Sequence, residues 1–147
     1  MSAEDILNEP ERIAGQMREL AAQIGQLRLS LLPGGLDYSV ERVQGGSGSG
    51  RVEEVLDRIR DREERLEELD ARRKWLLRVR LPELLTYIRD PEGRQIVNLY
   101  YLYGLRSQEK IGRILHMSTM TVSRKRRAAL RDIPDVGKHV NVNHGTV

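Results

Sequence analysis

The chain has 147 residues, no cysteine, no phenylalanine, one tryptophan (Trp75) and charged side chains at 32 % of positions. This excludes disulfides, thiolate metal sites and a cysteine nucleophile, and leaves too few large apolar side chains for a thick, multilayered enzyme core. The net charge of +3 is unevenly spread: residues 1–50 carry 4 basic and 7 acidic side chains, residues 51–90 carry 11 of each, and residues 91–147 carry 10 basic against 4 acidic, so the C-terminal end suits a polyanion.

Met1 to Glu11 holds four acidic residues and no basic one, unlike a secretory leader. The uncharged stretch Ile96 to Leu105 is too short to span a bilayer. A cytoplasmic protein without membrane contact is expected. Within residues 1–33, one helix is predicted from Pro10 to Leu32, because Ile13, Met17, Leu20, Ile24, Leu27 and Leu31 recur at spacings of 4, 3, 4, 3 and 4, a heptad seam. Pro33-Gly34-Gly35 ends it.

Residues 34–50 are glycine-rich and finish Gly45-Gly46-Ser47-Gly48-Ser49-Gly50, which reads as a flexible connection. A phosphate cradle would require a preceding strand and a following Gly-Lys-Ser/Thr, and neither is present. Over residues 51–89 a second heptad helix starts at Arg51, with Val52, Val55, Ile59, Leu66, Leu69 and Leu76 on one register and Arg62 and Arg73 intruding on the seam. Those two arginines would be costly there unless they met acidic partners. Pairs such as Glu54 with Arg58 and Glu68 with Arg72 describe a solvated face. Leu81-Pro82 should interrupt the helix, and a short helical segment, Glu83 to Arg89, should follow.

Asp90-Pro91 is a cap and first-turn signal, and residues 90–133 then show three short helical patterns. The first runs from Glu92 to Tyr103 and stops at Gly104, a natural left-handed cap. The second, Gln108 to Leu115, is capped by Ser107, with Glu109 in its first turn and Gly112 in its middle, where a close helix-helix approach would explain the glycine. The third is capped by Ser118 and runs from Thr119 to Arg131 through Arg124-Lys125-Arg126-Arg127. Apolar positions expected to face the interior are Ile96, Val97, Tyr100, Leu105, Ile111, Ile114, Leu115, Met117, Val122 and Leu130. A helix, a tight turn and a basic second helix form the geometry that enters the major groove of double-stranded DNA. Residues 134–147 read as a disordered tail.

The segment Glu92 to Leu130 resembles region 4 of bacterial sigma factors. The match lies in Gln95-Ile96-Val97-Asn98-Leu99-Tyr100-Tyr101, in Ser107-Gln108-Glu109-Lys110-Ile111-Gly112-Arg113-Ile114-Leu115 and in Met117-Ser118-Thr119-Met120-Thr121-Val122-Ser123-Arg124, ending at Ala129-Leu130. His116 stands where the family usually has Gly, so the turn must hold a side chain in a left-handed conformation. The order of helical half, Asp37-Tyr38 and Arg42-Val43-Gln44 loop, and helix-turn-helix also resembles phage and prophage regulators of the ArpU-like late-gene type. The promoter-melting domains of full sigma factors have no counterpart, so independent sigma activity is not expected.

Counting from the cap Ser118, the resemblance implies that Thr119, Met120, Ser123 and Arg124 read bases while Val122 and Leu130 point into the core. Arg124 alone of those four can make a bidentate contact to guanine. Ser107, Gln108, Lys125 and Arg127 are the candidate phosphate contacts. The expected fold class is all-α: a long N-terminal helical hairpin or coiled coil followed by a C-terminal tri-helical helix-turn-helix domain. The expected function is a DNA-binding transcriptional regulator of phage or prophage origin. It would form a homo-oligomer, a dimer, through its heptad seams, with RNA polymerase as a further partner. Two other readings are a small terminase subunit, which joins the same motif to oligomerising helices, and a coiled-coil protein that contacts RNA polymerase without DNA. An enzyme is not expected. The histidines are His116, His139 and His144, and no Ser-His-Asp, paired-acid or metal-ligand spacing is visible, so no catalytic residue, metal or cofactor is assigned.

Overall fold

Among the residues that the computed structural model describes, 2–33 and 48–135, every regular element is helical. The order is α1 (Ala3–Leu7), α2 (Glu9–Ser30), α3 (Gly48–Trp75), a π-helical turn (Leu76–Arg80), α4 (Leu81–Leu85), α5 (Pro91–Val97), a second π-helical turn (Asn98–Leu102), α6 (Gln108–Leu115) and α7 (Thr119–Asp132). None of these helices is long and apolar enough to cross a membrane. The Asp37-Tyr38 and Arg42-Val43-Gln44 loop, most of the glycine-rich connection and the tail beyond Asp135 lie outside the described residues. The chain divides into two units, one of Ile13–Arg72 and the other of residues 2–12 with 73–135.

In the first unit, α2 and α3 run antiparallel and bury most of the predicted seam against each other, but Val52, the first seam position of α3, is 38 % exposed. Ile24, Val55 and Ile59 form its core, with Leu27, Leu31 and Leu66 packed alongside. Arg28 bridges to Glu63 at 2.7 Å, and opposite-charge neighbours such as Arg65 and Glu68, 3.3 Å apart, line the solvent face. Among the described residues Arg62 meets no carboxylate at the seam: its Nε donates to the Gln23 side-chain oxygen at 2.8 Å. The side chain is only half-buried, so its head keeps water and needs no compensating charge. The helix α3 also begins three residues before Arg51, taking in Gly48, Ser49 and Gly50.

The second unit is larger than the expected tri-helical domain. The sequence Ser2-Ala3-Glu4-Asp5 forms a capping box: Asp5 N donates to Ser2 Oγ at 3.2 Å, and Ser2 N donates back to Asp5 Oδ2 at 3.1 Å. That starts α1, which buries Ala3, Ile6 and Leu7. Arg73, the other seam arginine, belongs here, and its Nε donates to the Pro10 carbonyl at 3.2 Å. Pro82 does not break the chain's helical path. Over Leu76–Arg80 the ladder widens, Leu81 N donating to Leu76 O five residues back, and Pro82 then takes a first-turn position of α4, where its missing N–H costs nothing. Leu76, Leu81, Leu84 and Ile88, each at most 1 % exposed, extend this unit's core.

Candidate nucleic-acid interface

Local chemistry fixes each helix of the C-terminal segment. Asp90 caps α5, accepting from Glu92 N at 3.1 Å, with Pro91 supplying a preset first turn. At the other end the helix widens over Asn98–Leu102 and closes with Tyr103 N donating to Asn98 O (3.0 Å) and Leu105 N to Leu99 O (2.9 Å), around Gly104 at φ +74°. Ser107 caps α6 and Ser118 caps α7, each accepting from a backbone N–H three residues on.

Between α6 and α7 the chain turns at His116, which adopts φ 58° and ψ 49°, the left-handed conformation that the sequence requires there. Gly112 serves this turn. A Cβ on it would lie 2.5 Å from the Met117 carbonyl oxygen, so the close approach is made by the turn's backbone and not by a neighbouring helix. Ile96, Ile111 and Val122, each 0 % exposed, form the core between the three helices, and Leu99, Tyr100, Leu105, Leu115 and Met117 pack on it. Two expected interior positions differ. Ile114 is 55 % exposed, and at the end of α7 Ala129 is the buried residue while Leu130 is half-buried.

The predicted base-reading residues lie at the start of α7. Thr119, Met120 and Arg124 are exposed, Met120 at 78 %, and Ser123 is half-buried. Met120, Arg124, Arg127 and Arg131 follow at spacings of 4, 3 and 4, so they form one exposed stripe along the helix. Arg124 and Arg127 carry no ion pair among the described residues.

The central basic run is split by the helical period. Lys125 turns away from the stripe, with its ammonium 2.9 Å from both Asp90 and Glu92, and so ties α7 to the start of α5. The Lys125 ammonium holds the Asp90 carboxyl below the usual carboxylate range, and Lys125 is shifted up in return. Its assignment as a phosphate contact therefore competes with two carboxylates. Arg126 also turns away. Its Nε donates to Gln108 Oε1 at 3.0 Å and its Nη1 to the Tyr101 hydroxyl at 2.8 Å and to Glu4 Oε2 at 3.3 Å.

Sequence reasoning missed this second layer. Tyr101 is 3 % exposed and donates to Glu4 Oε2 at 2.8 Å; burial foremost, then that bond to a carboxylate, pushes its phenol well above the ordinary tyrosine range. Arg106 lies over the Tyr100 and Tyr101 rings, 4.7 and 4.9 Å from their centroids, and reaches Asn8 Oδ1 and Glu11 Oε2, both at 2.8 Å. The signal for α1 was present as Ser2-x-x-Asp5, but nothing local pairs residue 4 with residues 101 and 126.

A capped helix, a left-handed turn, a second capped helix with a basic exposed stripe and a shared three-residue core now stand together. Residues 90–133 match the family model for Sigma-70, region 4. They form a sigma-region-4-like helix-turn-helix, a DNA-binding module. No curated protein and no solved structure matches the chain.

Proposed function

We propose that this protein is a transcriptional regulator that binds double-stranded DNA sequence-specifically in the cytoplasm, and that it is not an enzyme. The observation that carries this reading is the exposed stripe Met120, Arg124, Arg127 and Arg131 on α7, behind the capped turn of the helix-turn-helix. The first turn of α7 enters the major groove, where Thr119, Met120, Ser123 and Arg124 meet base edges. Phosphates are held by Arg127 and by the α6 start at Ser107 and Gln108, where backbone N–H groups and the helix dipole favour an anion. The ArpU-like resemblance of the chain supports a phage or prophage origin.

Self-association is the second half of the proposal. Most of the seam is consumed within the chain's own hairpin, but its Val52 is exposed, as are Leu29 on α2, Leu32 just beyond it and Leu56 on α3. Static light scattering at tens of micromolar tests it, and a monomer removes the dimer.

The deciding experiment for DNA binding is a fluorescence titration with duplex DNA at several salt concentrations. With on the order of five phosphate contacts, affinity should fall by about 10²- to 10³-fold between 50 and 200 mM salt. Absence of binding, or a flat salt response, refutes the reading.

A further inference from the structure

Arg106 and Arg126 are among the module's arginines that lie off the α7 stripe. Both are engaged by the acidic N-terminal segment: Arg126 by Glu4 and Arg106 by Glu11. Residues 2–12 carry four carboxylates and one arginine, whereas residues 90–133 carry nine basic and four acidic side chains.

The place of these contacts matters. Arg126 bonds directly to Gln108, the first residue of α6, and Arg106 immediately precedes the cap Ser107. On the function proposed above, this is the edge of the module that faces the phosphate backbone.

Glu4 and Glu11 are not the segment's only anchors. Its apolar face, Ala3, Ile6 and Leu7, is buried, with Leu7 fully enclosed, and its start is fixed by the Ser2 and Asp5 capping box. The Glu4 and Glu11 side chains are instead 50 % and 57 % exposed. Arg126 and Arg106 are themselves only 16 % and 28 % exposed, so each pair is open to water from its carboxylate side, where another anion can take the carboxylate's place. An acidic face that neutralises cations beside the α6 start has an electrostatic consequence.

We infer that Glu4 and Glu11 compete in cis with DNA phosphate for Arg126 and Arg106, and so hold the module's DNA affinity below what its own cations would give. Arg126 and Arg106 are latent phosphate contacts. Duplex DNA, a dense polyanion, draws them from the carboxylates, and the N-terminal segment sets the salt range over which this happens.

The test uses the full chain with the double substitution Glu4→Gln and Glu11→Gln, which keeps side-chain size and an oxygen acceptor for Tyr101. Nonspecific duplex affinity at 50 mM salt should rise by about 3- to 10-fold, and the slope of log K against log salt should steepen by about 1 to 2, or roughly 0.9 for each additional phosphate that the freed arginines hold. In an Arg126→Gln background the effect of Glu4→Gln alone should vanish, which separates competition for that arginine from a general rise in positive charge. Unchanged affinity and slope, or a tightening that persists without Arg126, overturns the inference. A fall in affinity with intact helicity and melting temperature also overturns it, by showing the carboxylates to be supports. Failure of the unsubstituted protein to bind duplex DNA would refute the proposed function itself, a different result from binding that ignores Glu4 and Glu11.

Discussion

The α2–α3 hairpin and the module of residues 2–12 and 73–135 use similar numbers of charges in opposite ways. In the hairpin, charge lies on the solvent face, in short-range pairs such as Arg60 with Asp57, at 3.2 Å, and in the exposed Arg28–Glu63 bridge between the helices, and the buried core is aliphatic. Its core follows from the heptad period. In the module, charged side chains join segments far apart in sequence: Lys125 to Asp90, Arg126 to Glu4, Arg106 to Glu11, and Arg89 to Asp132 at 3.0 Å. A run of like charges on a helix therefore has no single meaning. Where nothing packs beside it the run is hydration, and where a core helix carries it the 3.6-residue period sends some cations outward to a ligand and others inward as ties.

The strongest way to break this comparison is to unfold one unit and follow the other. Val122 is 0 % exposed between Ile96 and Ile111, so Val122→Asp places an unpartnered charge in the module core and should cost on the order of 4 kcal/mol. Circular dichroism should show a partial loss of helicity with DNA binding abolished, while α2 and α3 stay helical. Complete loss of helicity would mean that the two units fold as one. Gly112→Ala acts on the turn alone. Its Cβ would lie 2.5 Å from the Met117 carbonyl, an overpacking of about 1 to 3 kcal/mol that should lower the melting temperature of the module.

The next test separates the two halves of the basic run. Arg124→Ala should cost about 1 to 3 kcal/mol at a selected site and relax specificity at one base position. Arg127→Ala should weaken all sequences alike and reduce the salt slope by about 1. Lys125→Ala should change DNA affinity less than Arg127→Ala, because its ammonium is already shared by Asp90 and Glu92. Equal effects of Lys125→Ala and Arg127→Ala on binding would mean that those ion pairs give way in the complex. Equal weakening of selected and random DNA by Arg124→Ala would displace it from the base edges.

The parts of this fold that were legible in the sequence are those that depend on neighbours three or four residues away. The seam from Ile13 to Leu31, the caps Asp90, Ser107 and Ser118, the left-handed turn at His116 and the stop at Gly104 all rest on local backbone chemistry. What was not legible depends on distance or compensation. Residues 2–12 join residues 73–135 through apolar burial and bonds that span about a hundred positions, and no periodicity carries such information. Pro82 reads as a helix stop because the widened turn that accommodates it lies upstream, at Leu76–Arg80. Of the candidate site, the outward placement of Met120 and Arg124 was legible. The inward half was not, since Arg126 and Lys125 differ from Arg124 and Arg127 only in which neighbours the fold brings to them.

The smallest effect concerns those inward ties and is read by acid. Three carboxyls of the module are held below the usual carboxylate range: Asp90 by the bond from Lys125, Asp132 by bonds from the Arg89 backbone and side chain, and Asp5 by its bonds with Ser2. In each case the folded value lies below the ordinary one of 3.8, so between the two the unfolded chain binds more protons than the folded one. Their contribution is therefore complete above about pH 4 to 5 and is lost as the pH falls through the folded values. The module's melting temperature should decline between pH 5 and pH 3. Asp90→Asn keeps a residue able to cap α5 but removes the charge that Lys125 holds, so it should flatten part of that decline without melting the helix. If the substituted and native proteins show the same acid profile, the Lys125 tie contributes nothing to holding α7 against the start of α5, and Lys125 is then as available to phosphate as Arg127.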